Sequence, residues 1–107
     1  IQTSLKKYEI TKNMGWCDDS KSKEYNKLIK IPFKFNFERL FRKDNIYDII
    51  LVLNYNMNPI KKNRGSAIFI HISRKNYKST KGCIAIKKVQ LVRILKDIKK
   101  NTKVKII

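Results

Sequence analysis

Two unbroken apolar runs, YDIILVLNY at 47–55 and SAIFIHI at 66–72, decide most of what this chain can fold into. Each is β-branched, continuous rather than alternating, and bounded by turn formers, the pattern of a strand covered on both faces. Neither approaches the roughly 20 apolar residues that a membrane helix needs. Inner strands require neighbours and a covering layer, and the rest of the chain offers both. Leu5, Tyr8 and Ile10 in LKKYEI predict a short strand. The turn-rich NMGWCDDSKS reads as a loop, after which Asp19 or Ser20 is expected to cap a helical turn through Glu24 and Leu28. Ile31, Phe33, Phe35 and Phe37 alternate with polar residues around Pro32, giving an extended edge segment. Asn36 is placed to cap a helix with the stripe Phe37, Leu40, Phe41, closed by Lys43-Asp44-Asn45. Beyond the second run, residues 73–82 form a polar loop and Ile84–Ile86 an apolar stretch. Val89, Val92, Leu95 and Ile98 then recur at helical spacing to about Lys100, and Lys103–Ile107 predicts a closing strand. About five strands and two or three short helices make a β-rich α+β fold. With 107 residues, no repeat and no Pro/Gly linker, residues 1–107 form a single domain.

The chain carries 26 Lys and Arg against 8 Asp and Glu, a net charge of +18, which invites a phosphate-binding reading. The residue types point elsewhere. Lys, Ile and Asn together make up 48 of the 107 residues, all encoded by codons rich in A and U, whereas arginine appears five times. The lysines are scattered from Lys6 to Lys105, never more than two in a row, without clear aromatic interleaving. A solvated basic surface accounts for this pattern, and no specific nucleic-acid partner is expected. At 42% hydrophobic residues the chain is too apolar to be a disordered tail. Two cysteines are too few for a disulfide scaffold or an all-Cys zinc site; a Cys-Cys-His metal site is the remaining alternative, without near-neighbour ligand spacing, and no cofactor is expected.

The chemistry-bearing residues are the lone histidine, His71, at the end of the second run, and Cys83, twelve residues later in TKGCIAI. A strand end and a glycine turn can bring a thiol and an imidazole together, as cysteine nucleophilic catalysis requires. Gly82, directly before the thiol, lets the backbone approach a carbonyl and leaves successive N–H groups for an oxyanion. The plainer alternative makes His71 a hydrogen-bonded core residue and Cys83 a small buried hydrophobe.

The stretch SAIFIHI…STKGCIAI resembles the active-site signature of the L,D-transpeptidase catalytic domain (YkuD) family: a strand-borne His, a variable loop, then Ser/Thr-x-Gly-Cys and an apolar residue. NMGWCDDSKSKEYNKLI, YDIILVLNYN and the C-terminal amphipathic segment extend the likeness over most of the chain. The resemblance implies a mixed-sheet, sandwich-like fold. It also implies cysteine-dependent acyl transfer on peptidoglycan stem peptides, as a transpeptidase making 3-3 cross-links or as an L,D-carboxypeptidase. In that reading Cys83 is the nucleophile and His71 its base, oriented by a nearby backbone carbonyl such as that of Ile72. The N–H groups of Lys81, Gly82 and Cys83 would form the oxyanion hole, with Thr80 and Lys81 against substrate. The family further implies a cell-envelope or periplasmic location and reaction with carbapenem-type inhibitors. Two positions depart from the pattern: Lys81 stands where many members have a second histidine, and Ala85 where many have asparagine. The family's usual N-terminal strands have no counterpart before Ile1, so the chain reads as the C-terminal part of a larger domain.

Other residues near the expected cleft divide between roles. Trp16, Asp18 and Asp19 either line a substrate site or serve as core and turn caps, and Tyr55 and Asn56 either contact a stem peptide or finish a strand. Cys17 is expected as a second reduced thiol. Two further readings stand beside the enzyme: a basic binding module for nucleic acid or an anionic envelope polymer, and a family member that keeps the fold without activity.

Overall fold

A computed structural model describes residues 2–73 and 83–105. In chain order it contains β1 (Met14–Cys17), β2 (Leu28–Lys30), β3 (Phe37–Arg39), β4 (Ile50–Val52), β5 (Phe69–Ile72), β6 (Ile84–Ile86) and α1 (Lys88–Asp97). The strands make two three-stranded sheets, ordered β2-β1-β3 and β4-β5-β6. The first is antiparallel throughout, with Gly15 opposite Ile29 on one side and Arg39 on the other. The second is mixed: β5 runs antiparallel to β4 and parallel to β6, with His71 opposite both Ile50 and Ala85. This is the expected β-rich α+β architecture, and the two apolar runs supply its adjacent strands β4 and β5; only β5 is the expected inner strand, while β4 lies at the end of the sheet order, without a buried residue.

Alternation along β5 divides the core in two. Phe69 faces a cluster with Trp16, Leu40, Ile46, Tyr47 and Ala67. Ile70 and Ile72 face the opposite side, where Leu91 and Leu95 of α1 pack. Phe69 has no exposed surface and meets Trp16 edge-on at 5.2 Å and Tyr47 at 5.8 Å between ring centroids. These aromatic contacts tie the first sheet to the second. Each such pair contributes about 0.5–1.5 kcal/mol beyond its buried area. Helix α1 has no side-chain cap and no acidic residue in its first turn. Ten residues are too few for a stable helix in isolation, so the burial of Leu91 and Leu95 against the sheet holds it.

The structure corrects several local expectations. Phe37, Leu40 and Phe41 do not form a helical stripe: Phe37–Arg39 is a strand paired with β1, Leu40 is buried and Phe41 is half exposed. A helical spacing of three aromatic and aliphatic residues yields here to the unsatisfied edge of β1, whose backbone takes a second partner. The turn after Asp19 stays a chain of tight turns, with Asp19 Oδ1 accepting from the Lys21 N–H and Ser22 Oγ from the Glu24 N–H, and Leu28 opens a strand instead of closing a helix. LKKYEI and residues 31–36 lie outside the strands, as do Lys103–Lys105. Val89 is 71% exposed, and Leu91, not Val89, marks the buried face of the helix.

Candidate active site

His71 sits on the central strand of the second sheet and is 3% exposed. Its Nδ1 lies 2.9 Å from the carbonyl oxygen of Ile72. A carbonyl only accepts, so Nδ1 carries the proton in the neutral ring and Nε2 keeps its lone pair. The ring edge rests on Tyr47 at 5.4 Å between centroids, which fixes its plane.

Cys83 immediately precedes β6. The parallel register sets Ala85 beside His71, so Cys83 falls on the same face of the sheet, level with Phe69 and diagonal to the histidine. Diagonal neighbours on a sheet face are separated by about 7–8 Å at Cα. Ala85 therefore sets a methyl group beside His71. Cys83 Sγ is 3.1 Å from the Ala67 carbonyl oxygen, to which the thiol donates. Burial pushes the Cys83 thiol up from its ordinary pKa, the Phe69 backbone amide pulls it partly back, and the negative charge of Glu38 adds to the rise. At neutral pH the sulfur is a protonated thiol resting on a carbonyl.

Two residues that the sequence did not single out complete this wall. The Tyr47 hydroxyl donates to Glu38 Oε1, joining the second sheet's approach to β3. The Arg42 guanidinium lies 5.1 Å from the centre of the Tyr47 ring and is itself forked onto Asp44. Burial first, and the bond to Glu38 second, hold the Tyr47 phenol far above its usual pKa. Glu38 reads as a helix surface in the sequence and Tyr47 as the first residue of a strand. Only the β1–β3 pairing, which places Glu38 opposite Trp16, turns the carboxylate toward the second sheet.

The remaining sequence candidates separate into distinct environments. Trp16 is buried in the core against Phe69, with its Nε1–H donating to Asn26 Oδ1 at 2.9 Å. Asp18 is exposed. Asp19 accepts from the backbone N–H groups of Lys21 and Asn36, and these two bonds hold its carboxyl below the usual carboxylate range. Tyr55 is 53% exposed, and Asn56 clasps its own loop through the Lys61 N–H and carbonyl and the Gly65 carbonyl. Thr80, Lys81 and Gly82 lie outside the described residues. Cys17 is fully buried in β1, and neither cysteine is in a disulfide. Among the described residues, no three His, Cys, Asp or Glu side chains are grouped to hold a metal ion. No described helix is long and apolar enough to cross a membrane.

Residues 2–106 match the family model described as the L,D-transpeptidase catalytic domain, YkuD. No curated protein and no solved structure matches the chain.

Proposed function

Since the chain belongs to the L,D-transpeptidase catalytic domain (YkuD) family, whose substrates are peptidoglycan peptides, we propose that it transfers an acyl group from a stem peptide through a thioester on Cys83. The observation that carries the reading is the shared sheet face of His71 and Cys83, with His71 Nδ1 tied to the Ile72 carbonyl. That bond leaves Nε2 as the ring's proton acceptor.

The thiol leaves the Ala67 carbonyl and gives its proton to His71 Nε2 as Sγ attacks the donor carbonyl carbon. By family, that carbon belongs to the L-centre of the diamino acid at the third stem position. The backbone N–H groups of Lys81, Gly82 and Cys83 receive the oxyanion. When the carbon–nitrogen bond breaks, His71 returns the proton to the departing D-alanine amine. The thioester is then opened by an amine of a second stem, giving a cross-link, or by water, giving a carboxypeptidase. In either case His71 takes the incoming proton and the thiol is regenerated. Such chemistry belongs to the cell envelope.

Because Cys83 is held as a thiol and not as a preformed ion pair, the imidazole acts as a general base. Intact-mass measurement after incubation with a carbapenem tests the mechanism on wild type, Cys83→Ala and Cys17→Ala. One adduct, lost only in Cys83→Ala, is expected. Retention of the adduct in Cys83→Ala, or its absence from folded wild type, overturns the proposal.

A further inference from the structure

Asn26 is 2% exposed and lies in the turn before β2, with a left-handed φ of 59°. Its Oδ1 accepts from Trp16 Nε1–H at 2.9 Å and from the Ala67 backbone N–H at 3.1 Å. Its Nδ2 donates to the carbonyls of Tyr55 at 3.2 Å and Asn56 at 2.7 Å. All four hydrogen-bonding positions of the amide are thus used within the protein. Two donors on one side and two acceptors on the other also fix which way the amide points.

Ala67 is the unusual member of this set. It is a buried non-glycine residue with φ at 55°, a left-handed conformation that L-residues other than glycine adopt at a cost. Such a residue persists when its surroundings hold it there. Its N–H is held by Asn26, and its carbonyl oxygen is the atom against which Cys83 Sγ rests. One strained residue therefore joins a buried amide to the sulfur.

We propose that Asn26 is a positioning residue for the nucleophile: by latching the Ala67 N–H, it aims the Ala67 carbonyl at Cys83 Sγ and so sets where the sulfur waits. The inference rests on the reading of Cys83 as the nucleophile. Asn26 touches neither substrate nor reacting atoms and acts only through Ala67. Without the latch, Ala67 relaxes toward negative φ, its carbonyl swings away, and the sulfur loses that contact while the Phe69 amide remains.

Two variants separate this role from bulk stability. Asn26→Gly keeps the left-handed backbone without steric cost and removes the amide. Asn26→Asp keeps an oxygen facing Trp16 and Ala67, while setting a second oxygen against the carbonyls of Tyr55 and Asn56. The readouts are the pH midpoint of Cys83 alkylation by iodoacetamide and the rate of carbapenem acylation. Protection of Cys17, which has no exposed surface, reports the fold in the same sample.

In Asn26→Gly the alkylation midpoint is expected to fall by about half a pH unit or more, because the S–H has lost its acceptor. Acylation is expected to slow by about 10–100-fold, because the sulfur is misplaced. Asn26→Asp keeps the oxygen that latches Ala67, so its acylation is expected within about threefold of wild type and its midpoint no lower than wild type's, since a nearby carboxylate can only raise a thiol pKa. A protected Asn26→Gly that titrates and acylates like wild type overturns the inference. If Asn26→Gly exposes Cys17, Asn26→Asp decides: a midpoint that does not fall, with acylation retained, supports the latch, and a lowered midpoint overturns it. If wild type forms no carbapenem adduct, the acyl-transfer reading has failed, and the alkylation midpoint alone judges Asn26.

Discussion

Replacing Tyr47 with phenylalanine removes one oxygen and leaves the ring that braces His71 and Phe69. The lost bond runs to a carboxylate, and hydrogen bonds to charged groups contribute about 1.5–3 kcal/mol. Glu38 is only partly buried, so water can replace the phenol, which puts the loss near the lower end, about 1.5–2 kcal/mol. For a domain of this size that corresponds to a fall in Tm of about 6–16 °C. The ring contacts survive, so carbapenem acylation should stay within about threefold of wild type. Tyr47→Ala instead empties the space beside Phe69, costs about 3–5 kcal/mol, and frees the edge of the imidazole. Its acylation should therefore fall well below that of Tyr47→Phe.

The pH dependence supplies a second axis for the same pair of variants. The Tyr47 pKa is raised by folding, so its contribution to stability is intact below the unfolded phenol value of about 10 and is lost as pH climbs past it. Thermal melts of wild type between pH 8 and 11 should show a falling alkaline limb, which Tyr47→Phe flattens. Equal loss of acylation in Tyr47→Phe and Tyr47→Ala would refute the reasoning, since the hydroxyl and not the ring would then be serving the chemistry.

Other outcomes follow from the same geometry. Alkylation of Cys83 in wild type should rise with pH through a midpoint above that of an ordinary thiol, about 8.5, because burial favours the protonated form. A midpoint at or below neutrality would mean a preformed thiolate and remove the need for His71 as a general base. Gly15→Ala should destabilise the first sheet by about 1–3 kcal/mol in urea unfolding. An added Cβ would stand 3.0 Å from Ile29 Cδ1 and from Phe37 Cδ2, which can shift, and 3.2 Å from the Glu38 carbonyl oxygen, which cannot move without the strand. An unchanged unfolding midpoint would show that β1 and β3 are more loosely paired than the register implies.

The sequence carried some of this architecture and hid the rest for identifiable reasons. The run around Ile70 was legible because continuous apolar, β-branched residues suit an inner strand, whereas the run around Leu51 gave a strand but an outer one, with Val52 43% exposed. Val92 and Leu95 were legible as part of a helix because a spacing near 3.6 has one simple meaning, although the helix stops at Asp97 and Ile98 is its extended cap and not a helical residue. Phe37 misled for the converse reason: three hydrophobes at helical spacing do not encode the vacant edge of β1 that captured them. His71 and Cys83 stood out as the lone histidine and a glycine-flanked thiol. Their supporting residues did not, because Tyr47, Glu38 and Ala67 acquire their roles only through pairing between distant segments. Asn26 fell inside an expected helical turn, and a buried amide with four partners leaves no local trace in composition.

The same asparagines bear on what kind of genome can encode this fold. Asn26, Asn45, Asn56 and Asn63 all occupy left-handed backbone positions that proteins usually assign to glycine, and the chain contains only three glycines. Glycine codons begin with two guanines, whereas asparagine codons begin with two adenines. Mutational drift toward adenine and uracil, which depletes the first residue, enriches the one other type that tolerates this backbone readily. A nucleotide bias of this kind and turn geometry pull in the same direction, so tight connections of this type are compatible with a coding sequence poor in guanine.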